Sequence, residues 1–326
     1  MHQEQILISL AGDTMIGRLV NEYLDNAPPE HIWGNMLPLL KQCDYNIINL
    51  EAAITRSEKI VPKVFNFKAD PEKVQSLLAG SINLVNLANN HVLDYAEEGL
   101  LETLEVLDRH GIKRVGAGKN IQEARCAAVV DVKGLTVGVL GCTDNEPGWK
   151  AGPKKPGTNY VEVGDLTTLK EDIAAVRDRV DLLILSIHWG PNMVERPSKE
   201  FRAFAHALID AGVDVIHGHS AHIFQGVEVY KERLILYDTG DFVDDYWVDP
   251  LLRNDRGFLF LLEIANGSLS VRLVPTLIRH FQAIHAPKDE AESTIARMRM
   301  LSKEFRTVFE GTEELVLKGK TSYGAR

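Results

Sequence analysis

Three histidines fall within six residues, at His217, His219 and His222, just after the apolar run 211–216 and around Gly218. Imidazole is the commonest protein metal ligand, so this stretch is the first place to look for chemistry. A lone histidine beside a strand is usually a satisfied core residue. Three together, with ligand-type residues at other strand ends, point to a metal centre instead. Those other residues are Asp13, one position after Gly12; Glu51, after the run 44–50; Asn90 and His91, after 82–88; and His188, after 181–187. Asp13 taken alone reads as a metal ligand or a helix N-cap, and the cap is the commoner use of an aspartate in that place. Glu51 stands between Leu50 and Ala52-Ala53-Ile54, where an unpaired carboxylate is costly, so a cation or a hydrogen-bond donor is expected opposite it. Two carboxylates, an amide oxygen and several imidazoles suit one or two divalent ions of the Mn, Zn or Fe type.

The elements that must carry these residues alternate. Strand-like runs at 6–11, 44–50, 82–88, 181–187 and 211–216 are separated by segments of helical periodicity at 35–42, 96–110, 166–179 and 198–211. In α/β folds of this kind, polar residues at the carboxyl ends of the strands assemble a site from distant parts of the chain. Two hairpins are expected, 127–132 with 135–140 around Lys133-Gly134, and 258–264 with 269–275 around Asn266-Gly267. The long segment 146–159, with Trp149 and three lysines, reads as a lid for an anionic substrate or as a plain surface excursion. From 289 to 309 a charged helix presents Ile295, Met298, Leu301, Phe305 and Val308 on one face. The simplest division is one domain over 1–285 with a helical extension over 286–326.

The chain has 326 residues, 45% hydrophobic and 25% charged, with a net charge of −10. That is an ordinary globular composition, and its acidity argues against nucleic acid as a partner. The apolar segment 6–11 is cut by Gly12 and Asp13 and lacks a basic leader, so neither a signal nor a membrane anchor is expected and the protein reads as cytoplasmic. Cys43, Cys126 and Cys142 are an odd, widely spaced set in apolar runs and read as buried thiols.

The strand-end residues also carry a resemblance. The segments 12–18 (Gly-Asp-Thr-Met-Ile-Gly-Arg), Asn49-Leu50-Glu51, 86–91 (Asn-Leu-Ala-Asn-Asn-His), His188-Trp189-Gly190 and 218–228, beginning Gly-His-Ser-Ala-His, resemble the successive motifs of the CapA family. These are capsule and poly-γ-glutamate biosynthesis proteins, a branch of the calcineurin-like metallophosphoesterase superfamily. The resemblance spans roughly residues 5 to 275. It implies a four-layer α-β-β-α sandwich of two mixed sheets, with metal ligands at Asp13, Glu51, Asn90, His188, His219 and His222 and a proton-transferring His91. Met15 stands where the superfamily usually has a ligand histidine, and Gly240-Asp241-Phe242 stands where CapA proteins commonly have Gly-Asn-Phe. Those departures are similar to a soluble subgroup that includes a lasso-peptide epimerase.

Three functions are compatible with these residues. The first is a metal-dependent enzyme on a peptide or polyglutamate-like substrate, with His91, His217 and Asp241 as proton carriers for epimerisation at a peptide Cα, or with the same site directing hydrolysis or transfer. Arg18, Lys68, Arg196 and Arg256 are the candidates for pairing a substrate carboxylate. The second is a phosphoesterase, against which the methionine at position 15 counts. The third is a non-catalytic assembly factor for polyglutamate or capsule synthesis.

Overall fold

A computed structural model of the chain describes residues 5–323. The first half runs through strand β1 (Ile6–Thr14), helix α1 (Arg18–Tyr23), strands β2 (Tyr45–Leu50) and β3 (Leu84–Asn86), helix α2 (Ala96–Arg109) and strand β4 (Lys113–Val115). Next come the hairpin β5 (Ala128–Val132) and β6 (Leu135–Thr143), helix α3 (Thr167–Arg177), β7 (Leu182–His188), helix α4 (Lys199–Asp210), β8 (Val215–His219), β9 (Val227–Tyr230) and β10 (Arg233–Leu236). The chain ends with β11 (Asp241–Val243), β12 (Arg256–Ala265), β13 (Ser268–Arg279), β14 (Gln282–His285), helix α5 (Lys288–Lys303) and β15 (Leu315–Ser322).

Two large mixed sheets result, beside two short two-stranded pairings. One has the order β14-β13-β12-β1-β2-β3-β4, with β11 added to the end of β1 and β15 to β13; the other has the order β9-β10-β8-β7-β6-β5. Side chains alternate across a strand, so each central strand feeds two apolar layers. Ile8 and Leu10 of β1, Ile47 of β2, Ile184 of β7 and Val215 of β8 pack between the sheets. Ala11, Ile48 and Val85 pack against α2 on one outer face, and Leu183, Leu185 and Ile216 against α3 and α4 on the other. Three apolar layers between four layers of structure make the expected α-β-β-α sandwich.

The alternation also decides where the polar strand ends point. The inner stripe continues Tyr45, Ile47, Asn49 in β2; Leu84, Asn86 in β3; Leu182, Ile184, Ser186, His188 in β7; and Val215, His217, His219 in β8. β1 would break this rule, because Asp13 shares parity with Ala11 on the outer side. A register shift between Ala11 and Asp13 inserts one residue and turns Asp13 toward the inner stripe. A Cβ on Gly12 would lie 1.9 Å from the Gly240 carbonyl oxygen, so only glycine allows this close approach of β1 and β11.

Several expectations change. Asp13 lies within β1, and helix α1 begins after Gly17 with no side-chain cap, so Asp13 is not an N-cap. The segment 35–42 is a 3-10 stretch, Pro29–Met36, running into a short helix, Leu37–Gln42. Helix α5 stops at Lys303 rather than 309 and leaves Val308 exposed. The described residues from 286 onward hold a strand as well as a helix: Ile295, Met298 and Leu301 of α5 enter the intersheet layer, and β15 pairs with β13. Both hairpin turns have consecutive residues at positive φ, Lys133-Gly134 and Asn266-Gly267, as two-residue primed turns require. The thiols are free; Cys142 is buried and Cys43 partly so, but Cys126 is exposed, contrary to expectation. No helix among the described residues is long and apolar enough to cross a membrane.

Candidate metal centre

At the carboxyl ends of the inner stripes the apolar layer gives way to a buried polar cluster centred on Asp13. Asn49 Nδ2 donates to Asp13 Oδ1 over 2.7 Å, and the Ser220 amide donates to Oδ2 over 3.2 Å. His188 Nδ1 and His219 Nδ1 each lie 3.7 Å from Oδ1, and His222 Nδ1 lies 3.4 Å from Oδ2. Two groups with ligand atoms close enough to share an ion therefore meet at one carboxylate: Asp13, His188 and His219, and Asp13, Glu51 and His222. Asn90 Oδ1 is 3.0 Å from His188 Nε2. The six residues expected as ligands are thus brought together.

The electrostatics are those of a site short of positive charge. Burial alone would raise the Asp13 carboxyl, but hydrogen bonds to His188 and His222 and the nearby imidazoles hold it well below the usual range. Glu51 is raised well above it by burial and by the charges of Asp13 and Asp241. Both Glu51 oxygens are buried without a hydrogen-bond partner, and the nearest imidazole, His91 Nε2, is 3.6 Å away. The Nδ1 atoms of His188 and His219 face each other at 3.0 Å, a spacing that needs a proton or a cation to reconcile two lone pairs. A divalent cation fits this donor set, since it would satisfy the orphaned carboxylate and the facing nitrogens together.

Backbone strain accompanies the cluster. Ser220 and His222 both have positive φ, at 119° and 59°. Side chains seldom adopt that region, and here the loop after β8 is bent to present both histidines. A Cβ on Gly218 would meet the Tyr237 carbonyl oxygen at 2.1 Å, which forces glycine between His217 and His219.

The three expected proton carriers separate. His91 borders Glu51, and its Nδ1 hydrogen-bonds Asp94 Oδ2 over 2.6 Å while Lys63 Nζ reaches Asp94 Oδ1 at 3.0 Å. Burial pushes His91 down to about 4, so the imidazole is neutral near pH 7. Asp241 Oδ1 pairs with His222 Nδ1 at 2.9 Å; burial would lower His222, but the charges of Asp241, Asp13 and Glu51 hold it well above its usual value. His217 lies one residue behind the cluster, fully buried, where Ser186 Oγ bridges its Nδ1 and His219 Nε2 at 3.2 and 3.0 Å. It does not line the cavity over His222.

Of the four expected anion binders, Arg18 lines that cavity and the other three do not. Lys68 pairs with Glu58 at 2.8 Å, Arg196 with Glu304 at 2.8 Å, and Arg256 Nε with Glu290 at 2.7 Å. Sequence reasoning passed over Asp94, although its i, i+3 spacing from His91 is a usable signal. It also passed over the amides that brace Asn49: Asn86 and Asn89 both donate to Asn49 Oδ1, at 3.0 and 3.2 Å. Lys63 had no local signature. It links Asp94 to the segment 146–159 by lying 4.8 Å over the Trp149 ring.

The profile of a protein family described as bacterial capsule synthesis protein PGA_cap matches residues 7–246. Capsule biosynthesis protein CapA of Bacillus anthracis is 31% identical over 251 residues, 74% of this chain and 60% of its own length. PGA biosynthesis protein CapA of Bacillus subtilis is 30% identical over 241 residues, 73% of this chain and 63% of its own. The chain thus spans somewhat under two thirds of these two relatives. A protein of Mycobacterium tuberculosis named as a polyglutamine synthesis accessory protein is 32% identical over 291 residues, 84% of this chain and 77% of its own. The matched span carries every strand-end residue of the cluster, and by that match and the last relative the chain belongs to the bacterial capsule synthesis protein PGA_cap family.

Proposed function

We propose that the chain is a metal-dependent enzyme acting on a peptide or poly-γ-glutamate-type substrate, and that its reaction is proton transfer at a peptide Cα, an epimerisation. The observation that carries the metal reading is Glu51: a fully buried carboxylate with neither oxygen satisfied, placed between Asp13 and His222. The substrate class is supported by the names of the relatives, which concern capsule and polyglutamate synthesis. Asp13, His188 and His219, with Asn90 beside His188, would hold one divalent ion; Asp13, Glu51 and His222 would hold a second. Such an ion, of the Mn, Zn or Fe type, would supply Lewis-acid polarisation of a substrate carboxylate or amide oxygen and so acidify the neighbouring Cα–H.

The chain's own groups then move the proton. His91 is neutral, oriented by Asp94, and presents Nε2 toward Glu51 as a base. Asp241, hydrogen-bonded to His222 through Oδ1 and with Oδ2 unpartnered, is the second carrier. Epimerisation needs one group to take the Cα proton and another to return one, and these two supply that. His217 acts as support for His219 through Ser186. The phosphoesterase alternative is less well served, because Met15 is buried in the apolar layer against the helices and no histidine replaces it there.

Elemental analysis of the purified protein tests the metal reading. One or two divalent ions per chain are expected, lost in Asp13→Ala and His219→Ala. A wild type left empty after incubation with Mn and Zn overturns it. With metal bound, deuterium uptake from solvent at Cα of a γ-glutamyl peptide supports the epimerase. Phosphate release from a phosphoester in its place supports the phosphoesterase, and neither activity, with retention on a polyglutamate synthase, supports the assembly factor.

A further inference from the structure

We infer that Arg18 reads a carboxylate on the substrate, one side chain's width from the reacting centre; this rests on the reading of the His222 end of the cavity as that centre. The cavity has a volume of about 520 Å³ and is lined by Arg18, Phe65, Met193, His222, Tyr246 and Trp247, among others. The Arg18 guanidinium is held on its faces by aromatic rings, its central carbon lying 4.9 Å from the Phe65 centroid, 5.0 Å from Phe67 and 6.0 Å from Tyr246. Its Nε edge lies 3.2 Å from Asp245 Oδ2, which also accepts the Leu19 amide at 3.1 Å.

Those contacts occupy the faces and the Nε edge of the guanidinium. Nη1 is enclosed without an acceptor, and the side chain is 28% exposed where it lines the cavity. A guanidinium clamped on its faces and at Nε has its remaining N–H direction fixed, ready for a carboxylate oxygen. The backbone is committed as well: Arg18 has a φ of 51°, the left-handed region that residues other than glycine, asparagine and aspartate seldom occupy. Asp245, binding both Nε and the next amide, holds that conformation.

The charge balance selects the anion. Arg18 is the only lysine or arginine among the lining residues, and Asp245 already offsets part of its charge. One such cation matches a singly charged carboxylate better than a doubly charged phosphate. The Tyr246 ring lies 5.1 Å from the His222 ring and 6.0 Å from the Arg18 guanidinium, so it spans the two. The carboxylate therefore sits on the reacting residue or its neighbour.

The test is calorimetric titration of the full chain, Mn-loaded and metal-free, with a γ-linked glutamate pentamer and with the same pentamer amidated at its α-carboxylates. Wild type is expected to bind the free acid, and Arg18→Gln to bind it roughly tenfold to a hundredfold more weakly. Arg18→Lys should recover part of the loss, and the amidated pentamer should bind wild type no better than the free acid binds Arg18→Gln. Binding by Arg18→Gln within twofold of wild type, equal binding of the amidated pentamer, or equal competition by inorganic phosphate would overturn the inference. If Arg18→Gln does not fold, the two pentamers on wild type decide alone. Metal content of the same samples separates the two readings: metal without carboxylate preference removes Arg18's role, and carboxylate preference without metal removes the metal centre.

Discussion

An ionised carboxylate in a dry interior costs several kcal/mol, so burial holds Glu51 well above the usual range, and ionisation there calls for a cation to compensate it. The residue types at the strand ends were legible because each follows an apolar run. What each does was less so, since function depends on neighbours far along the chain. His217 illustrates this: by sequence it is one of three adjacent histidines, yet its partners are Ser186 and Thr239, and it is enclosed behind His219. Burial pushes its imidazole down to about 4. An imidazole depressed on folding binds fewer protons than in the unfolded chain, so its contribution to stability is present above the ordinary histidine value of about 6.5 and is lost as pH falls through about 4. His217→Gln is therefore expected to flatten the stability profile between pH 6.5 and 4, measured by urea denaturation at several pH values. An unchanged profile would show that His217 titrates normally.

At the scale of elements, each central strand is a stripe that starts apolar and ends polar on the same face. Period-two alternation makes that visible in β2, β7 and β8, and the hairpin turns were visible in Lys133-Gly134 and Asn266-Gly267. The bulge in β1 was not visible, because it depends on register against β2 and β11. For the same reason Asp13, taken alone, read more readily as a helix cap than as a ligand. Gly218, like Gly12, is a point where the elements crowd within the site: strand β8 and the Tyr237 carbonyl come too close for any side chain. Gly218→Ala is expected to destabilise the fold by roughly 2–3 kcal/mol, an overpacking cost. It should also lower metal content, because His219 must shift with the strand. A urea midpoint and metal content both equal to wild type would show that the strand has room to yield.

For the whole molecule, the intersheet layer is closed by the C-terminal part of the chain. Ile295, Met298, Leu301, Phe309, Leu315 and Leu317 all belong to it. Deleting residues 286–326 would uncover the apolar surface they cover, and the shortened chain is expected to bind a hydrophobic dye and lose its cooperative urea transition. A truncated chain that unfolds with the wild-type midpoint would show 1–285 to be self-sufficient. The sequence by itself determined the alternation of strands and helices, the polar residues that end the inner strands and the two hairpin turns, because all of these are set by local periodicity and by residues a few positions apart. Only the tertiary structure decided that a bulge turns Asp13 inward, that His217 stands behind His219, that Lys63 reaches Asp94 behind His91, and that Arg18 alone of four candidate cations lines the cavity over His222. Each of those depends on strand register or on a partner tens to hundreds of residues away, which no local pattern encodes.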